Sequence, residues 1–240
     1  MVRRILLTRR PSQAGALEAG LREAGYEVGF LPLTEQRLPE EGAELAEAIA
    51  RLEDGEFTVL VLTSGNTVRS LLTAGWSGTL PEETETAVTG AGTARVLQEL
   101  TEITDPWMPT REASAEGILA EIPHPPEPEM RLLLPQSAQA RPRLSEGLRE
   151  LGWQVTTVTA YETVPLADPL AAGVGLSGED VLLVTSSSAA EAYAGLGLQS
   201  PPRLLAIGRP TAETMERLGL PCGGVLPEVS TSGVQRLLHP

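Results

Sequence analysis

The feature that most constrains this chain is that much of it is written twice. Residues 4–28, RILLTRRPSQAGALEAGLREAGYEV, align without a gap to residues 131–155, RLLLPQSAQARPRLSEGLRELGWQV, at a constant offset of 127. Arg4, Leu6, Leu7, Leu17, Gly20, Leu21, Arg22, Glu23, Gly25 and Val28 all recur in the second copy. Further pairs follow in the same order: VLVLTSGNTVRSLL at 59–72 with VLLVTSSSAAEAYAGL at 181–196, and AVTGAGTARVLQEL at 87–100 with LAIGRPTAETMERL at 205–218. The last is SAEGILAEI at 114–122 with STSGVQRLL at 230–238. The offset shrinks to 122 and then 118, as trimmed loops produce, and an ordered series of this kind is the mark of a repeated supersecondary unit.

Each unit reads as a short apolar run, a small polar turn, and then apolar residues at helical spacing. Val59–Leu62 leads into Ser64-Gly65-Asn66, and Val181–Val184 into Ser186-Ser187-Ser188. Repeated βα units predict an α/β fold of parallel strands joined by right-handed crossovers, with helices on both faces of each sheet. Strands that are apolar throughout fit sheets buried on both sides.

At 240 residues the chain is long enough for two small domains. Taken alone, the repeat would be cut at the Pro-rich stretch Ile122–Met130, IPHPPEPEM. Two other segments compete for the boundary, Leu31–Pro39 and Thr159–Pro165, each following the first βαβ passage of its half and bounded by proline. Both should be extended, because proline disfavours helix in the residue before it.

Composition removes several functions. All 18 basic residues are arginine, so Schiff-base chemistry and a P-loop lysine are excluded. A net charge of −14 without a basic stripe argues against a nucleic-acid partner. Cys222 is the single cysteine and reads as a small, unreactive residue near a loop; neither it nor His124 or His239 has metal-site spacing. No apolar run approaches the length of a membrane span and no charged-then-apolar leader opens the chain, so a cytoplasmic location and no membrane partner are expected.

Ligands of open parallel sheets bind beyond the carboxyl ends of the strands, where helix starts present N–H groups. The most distinctive turns of this sequence fall at such places. One pair is Thr63-Ser64-Gly65-Asn66 with Thr185-Ser186-Ser187-Ser188; the other is Thr89-Gly90-Ala91-Gly92-Thr93-Ala94 with Ile207-Gly208-Arg209-Pro210-Thr211-Ala212. Each turn alone reads more readily as plain N-capping, but their pairing by the repeat shifts the balance toward binding. Such turns hold carboxylates without lysine, even on an acidic protein. Gly90 and Gly92 suggest a dinucleotide fingerprint, but Arg95 fills its third small position. Arg9, Arg10, Arg141 and Arg143 follow the first strand of each half, either as solvated residues or as partners of ligand carboxylates. Tyr161 lies in an extended segment beside Glu162 and Thr163, as a packing anchor or as a proton donor.

The ordered set of motifs resembles the uroporphyrinogen-III synthase family over essentially the whole chain. The resemblance is carried by Ile5-Leu6-Leu7-Thr8-Arg9, Leu62-Thr63-Ser64, Gly90-x-x-Thr93-Ala94 and Ala115-Glu116-Gly117. It continues through Gly152-Trp153-x-Val155, Tyr161-x-Thr163-x-Pro165, Thr185-Ser186-Ser187 and Gly208-x-x-Thr211-Ala212. It implies two flavodoxin-like domains with parallel sheets, joined by two extended linker strands, with the ligand site between the domains. The first domain would hold residues 1–32 with 168–240 and the second 39–159, with 33–38 and 160–167 as linkers. Gln136-Ser137 departs from the family pattern, which puts a carboxylate contact there in doubt, though Arg141 is placed to compensate.

The implied reaction is cyclisation of linear hydroxymethylbilane, with loss of water and inversion of ring D, to uroporphyrinogen III. It implies a monomeric lyase needing no cofactor or metal, acting on a tetrapyrrole with eight carboxylates. Tyr161 would donate to the departing hydroxyl; a tyrosine, ordinarily with a pKa of about 10, is protonated at neutral pH. Arg9, Thr63, Ser64, Gly65, Thr93, Ala94, Ser114, Thr185, Ser186, Ser187, Thr211 and Ala212 would line the substrate site. The competing reading is a non-catalytic two-domain hinge protein that closes on a small anion.

Overall fold

The computed structural model describes residues 4–169, 175–198 and 201–239. The chain divides into two compact units, residues 1–35 with 164–240 and residues 36–163, so it passes from one to the other twice. The copies in sequence are therefore not the units in space. Each unit takes the opening βαβ passage of one half and the remaining βα units of the other.

In the first unit, β1 (Arg4–Leu7), α1 (Ala16–Glu23) and β2 (Glu27–Phe30) come from the start of the chain. The C-terminal half supplies β8 (Val181–Val184), α7 (Ser187–Ala194), β9 (Arg203–Ala206), α8 (Arg209–Arg217), β10 (Cys222–Val225) and α9 (Thr231–Leu238). The sheet order is β10-β9-β8-β1-β2, and its pairs are parallel. Alternate residues feed opposite faces. Ile5, Leu7, Val181 and Leu183 pack on α1 and α9 through Leu17, Leu21 and Val234, while Leu6, Leu182 and Val184 pack with Ala189, Ala190 and Met215 of α7 and α8. Cys222 lies exposed at the start of β10, the edge strand, next to the loop that precedes it.

The second unit holds α2 (Ala43–Glu53), β4 (Val59–Leu62), α3 (Gly65–Thr73), β5 (Glu85–Val88), α4 (Ala91–Leu100) and α5 (Ala115–Glu121). These are followed by β6 (Arg131–Ser137), α6 (Arg143–Glu150) and β7 (Gln154–Pro165). Its sheet order is β3-β7-β6-β4-β5, with β3 (Thr34–Arg37) at one edge. The two passages of the chain between units fall within β3 and β7. Again two apolar layers form, Val59, Val61, Leu132 and Leu134 on one face and Leu60, Leu62 and Leu133 on the other.

Repeated residues do repeated jobs. Gly25 and Gly152 end α1 and α6 at φ 87° and 99°, a left-handed turn that a side chain would strain, and the next amides reach back to Leu21 and Leu148 at 3.1 Å. Gly20 and Gly147 let neighbouring helices close in: an added Cβ would lie 2.3 Å from Thr231 Oγ1 of α9, or 2.7 Å from Leu119 of α5. Helices α5 and α9 are themselves repeat partners. The helix of each opening passage thus packs on the last helix of the other half.

Candidate functional site

Because the strands of the first sheet and β7, β6, β4 and β5 of the second run parallel, the turns picked out from the sequence gather on the carboxyl edge of each sheet. In the second unit β4 delivers Thr63 and Ser64, and β5 delivers Thr89 and Gly90. The Thr89 hydroxyl donates to the Thr63 carbonyl at 3.1 Å and ties the turns together. Gly65 starts α3 against α4, where an added Cβ would lie 2.9 Å from Val96.

In the first unit the Thr8 hydroxyl accepts from the Thr185 amide at 2.9 Å and lies 3.0 Å from the Thr185 hydroxyl, joining the ends of β1 and β8. The Ser187 hydroxyl donates to the Pro210 carbonyl at 3.1 Å and joins the β8 turn to the β9 turn. Thr8 was not among the expected site residues. Its signal was only the Leu-Thr-Arg ending of the first strand.

The helix starts are of two kinds. Ser64, Ser114 and Ser186 each accept an amide of their own helix, from Asn66, Gly117 and Ala189 at 3.1, 3.0 and 3.0 Å. Ser230 does the same for Gly233. Gly90 and Gly208 stand at the same position before α4 and α8, and no side chain among the described residues caps either helix. Their first amides point off the carboxyl edge with the positive end of the helix behind them. Thr93 and Thr211 are the third residues of these helices and are buried, each followed by an alanine, Ala94 or Ala212.

The arginines are mostly committed within the protein. Arg9 donates to Glu18 at 2.6 Å. Glu18 is fully buried at the start of α1 and also accepts the Gly15 amide, so Arg9 supplies the counter-charge that its burial requires. Arg10 pairs with Glu35 at 3.6 Å and Arg143 with Glu116 at 3.2 Å. Arg141, on the loop after β6, has no ion pair among the described residues.

Tyr161 belongs to the second unit, within β7 and against the apolar cluster of Val158, Ala160 and Leu133. It is more buried than its polar neighbours suggested, at 9% exposure, so only a small part of the ring reaches the surface. Its carbonyl accepts the Ala138 amide at 2.9 Å, and Gln139 reaches the Thr163 amide at 3.3 Å. The end of β6, which carries Gln136 and Ser137, and the loop after it are thereby pinned to the strand bearing Tyr161. Hollows of about 670 and 430 Å³ lie around the amino ends of β4 and β5 and contain none of the expected residues. A smaller one of about 170 Å³ adjoins α3, lined by Gln36, Asn66, Arg69 and Thr73 among others. Among the described residues no helix is long and apolar enough to cross a membrane, and no group of three or more His, Cys, Asp or Glu side chains could hold a metal ion.

Fold and site together define a class: a protein of two α/β units with largely parallel sheets, each carrying donor-rich turns on the carboxyl edge of its sheet. The family described as uroporphyrinogen-III synthase HemD matches residues 15–234, and the chain belongs to that family of enzymes. The chloroplastic uroporphyrinogen-III synthase of Oryza sativa subsp. japonica is 29% identical over 226 residues, covering 90% of this chain and 73% of the rice protein. The uroporphyrinogen-III synthase of Synechococcus elongatus is 33% identical over 163 residues, 66% of this chain and 60% of its relative. The solved uroporphyrinogen-III synthetase of Helicobacter pylori has a TM-score of 0.66, and a mutant synthase of Thermus thermophilus 0.57. Both are 20% identical over 98% of either chain and speak for the fold alone. Family membership sets the hinge-type binding protein aside.

Proposed function

We propose that this chain closes linear hydroxymethylbilane to uroporphyrinogen III, a dehydration with inversion of ring D that requires no cofactor, and that it does so as a cytoplasmic monomer. The observation that carries the reading is the pair of glycine-started helices. A substrate with eight carboxylates needs several anion-binding positions, and an acidic protein cannot supply them as a field of positive charge. Uncapped amides at α4 and α8 meet that need locally, with Ala91 and Gly92 on one unit and Arg209 and Thr211 on the other. Thr93 and Thr211 add a hydroxyl at each. The serine-capped starts contribute less, because their serine oxygens already serve their own helices; Thr63 and Thr185 flank them. Arg141 offers a guanidinium from the β6 loop, whereas Arg9 acts through Glu18 as part of the scaffold.

The bilane closes unaided to the uninverted isomer, so the enzyme must do two things. It must help the hydroxyl leave as water, and it must hold the chain so that the spiro intermediate forms before simple closure. Holding is the larger part, since orientation of reacting groups is worth up to roughly 7 to 11 kcal/mol. Tyr161 is the proposed donor to the departing oxygen, held in place by its strand and by the Ala138 contact.

The test is incubation with freshly generated bilane and separation of the isomers. Wild type should yield type III. Tyr161→Phe should fold normally and lower turnover by roughly 100-fold or more, with KM little changed. Type I product alone from wild type would overturn the assignment, and an unchanged kcat in Tyr161→Phe would remove the tyrosine from the mechanism.

A further inference from the structure

We propose a second anion site, separate from the substrate edge, on the amino edge of the second unit's sheet, where Arg51, Arg131 and Arg149 bind a small phosphate-bearing molecule. The three side chains line one depression of about 450 Å³, together with Trp153, Gln154 and Thr156. On a chain of net charge −14 this convergence of guanidinium groups is a local reversal of sign.

The charge is not cancelled from within. Glu56 is the carboxylate that pairs there, and one oxygen serves two partners, Arg51 at 3.1 Å and Arg131 at 3.3 Å. Arg149 meets no carboxylate among the described residues and donates to the Val155 carbonyl at 3.2 Å. Two of the three are nevertheless held in place. Arg51 stacks over the ring of Phe57, 5.1 Å from its centroid, and the Val155 contact fixes one edge of Arg149. Guanidinium groups that are pre-positioned but unneutralised are what a multivalent oxyanion requires, each presenting a planar fork to two oxygens.

The duplication supplies the comparison. Arg131 and Arg149 are the repeat partners of Arg4 and Arg22. In the first unit Arg4 meets Asp180 one to one through bonds of 2.8 and 2.6 Å, and Arg22 lies over Phe30. Arg4 is closed by charge in one copy, whereas its partner Arg131 shares a single carboxylate with Arg51 in the other, where Arg149 stands beside them. A phosphate ester fits better than a lone carboxylate, because its two negative charges and three free oxygens can engage several forks at once.

Titration calorimetry with sodium pyrophosphate at low ionic strength tests the site independently of cyclisation. Wild type should bind it saturably. The double variant Arg131→Gln/Arg149→Gln should weaken binding by about tenfold or more, while Arg236→Gln, which removes an exposed arginine from the first unit, should not. Both substituted side chains lie on the surface, and an unchanged far-ultraviolet dichroism spectrum and melting temperature would confirm the fold. Absence of saturable binding by wild type, equal binding by the double variant, or an equal loss in Arg236→Gln would each overturn the proposal.

Discussion

Serine-started and glycine-started helices stand side by side on the carboxyl edge of each sheet, and in both units they follow the chain in the same order. In the second unit Ser64, Gly90 and Ser114 open α3, α4 and α5; in the first, Ser186, Gly208 and Ser230 open α7, α8 and α9. A serine satisfies one of its own helix's amides and closes that start. A glycine leaves them open while providing the same extended backbone. The duplicated module therefore carries two kinds of turn, one closed and one open, and the turns that look richest in hydroxyls are the ones already occupied with the fold.

The largest expected effect lies in a closed start. An added Cβ at Gly117 would stand 1.9 Å from the Glu112 carbonyl oxygen, a backbone atom that cannot swing away. Gly117→Ala should cost about 3 kcal/mol, read from the denaturant midpoint. A loss under about 1 kcal/mol would mean that the Ser114-x-x-Gly117 turn is looser than described.

Next comes the amino edge of the first sheet, which is closed by charge. The hydrogen bond from Arg4 holds the Asp180 carboxyl below the usual carboxylate range, aided by the Ser177 amide. A depressed folded-state pKa stabilises the protein above the ordinary value of about 3.9 and loses that contribution as pH falls through the folded value. Asp180→Asn should therefore cost about 2 kcal/mol at neutral pH, and its deficit relative to wild type should close below about pH 4. Melting curves across that range check the sign; a gap that is constant with pH would contradict it.

Smaller still is the loss of a serine cap. Ser114→Ala should cost about 1 kcal/mol and leave KM for the bilane unchanged, because that hydroxyl already serves α5. A raised KM without loss of stability would erase the distinction between the two kinds of start.

Much of this arrangement was legible in the sequence, for identifiable reasons. The apolar runs at 59–62 and 181–184 coincide with β4 and β8, because strands buried on both faces leave no room for polar residues. The repeated Gly25 and Gly152 mark helix ends that only the backbone freedom of glycine permits. Other features could not be read. Strand β10 is Cys-Gly-Gly-Val and has no apolar signature, since it takes its place by pairing with β9. Glu18 looks like a solvated helix residue until Arg9, nine positions away and outside the helix, is found beside it. Serine and glycine turns also looked alike as binding candidates. Telling them apart requires knowing which hydroxyls already accept an amide, and that depends on cap geometry rather than residue type.

The most direct test converts one kind of start into the other. Gly208 has extended backbone at φ −169°, and an added Cβ would find its nearest neighbour, Pro210 Cδ, 4.0 Å away, so a serine fits without strain. Gly208→Ser should supply the missing cap to α8, raising stability by a few tenths of a kcal/mol, while its hydroxyl takes the Thr211 amide proposed for substrate carboxylate, Pro210 having no N–H to offer. The account predicts a protein with a higher melting temperature and a KM for hydroxymethylbilane raised by roughly five- to tenfold. A variant that is equally or more stable with an unchanged KM would show that the open start does not hold substrate.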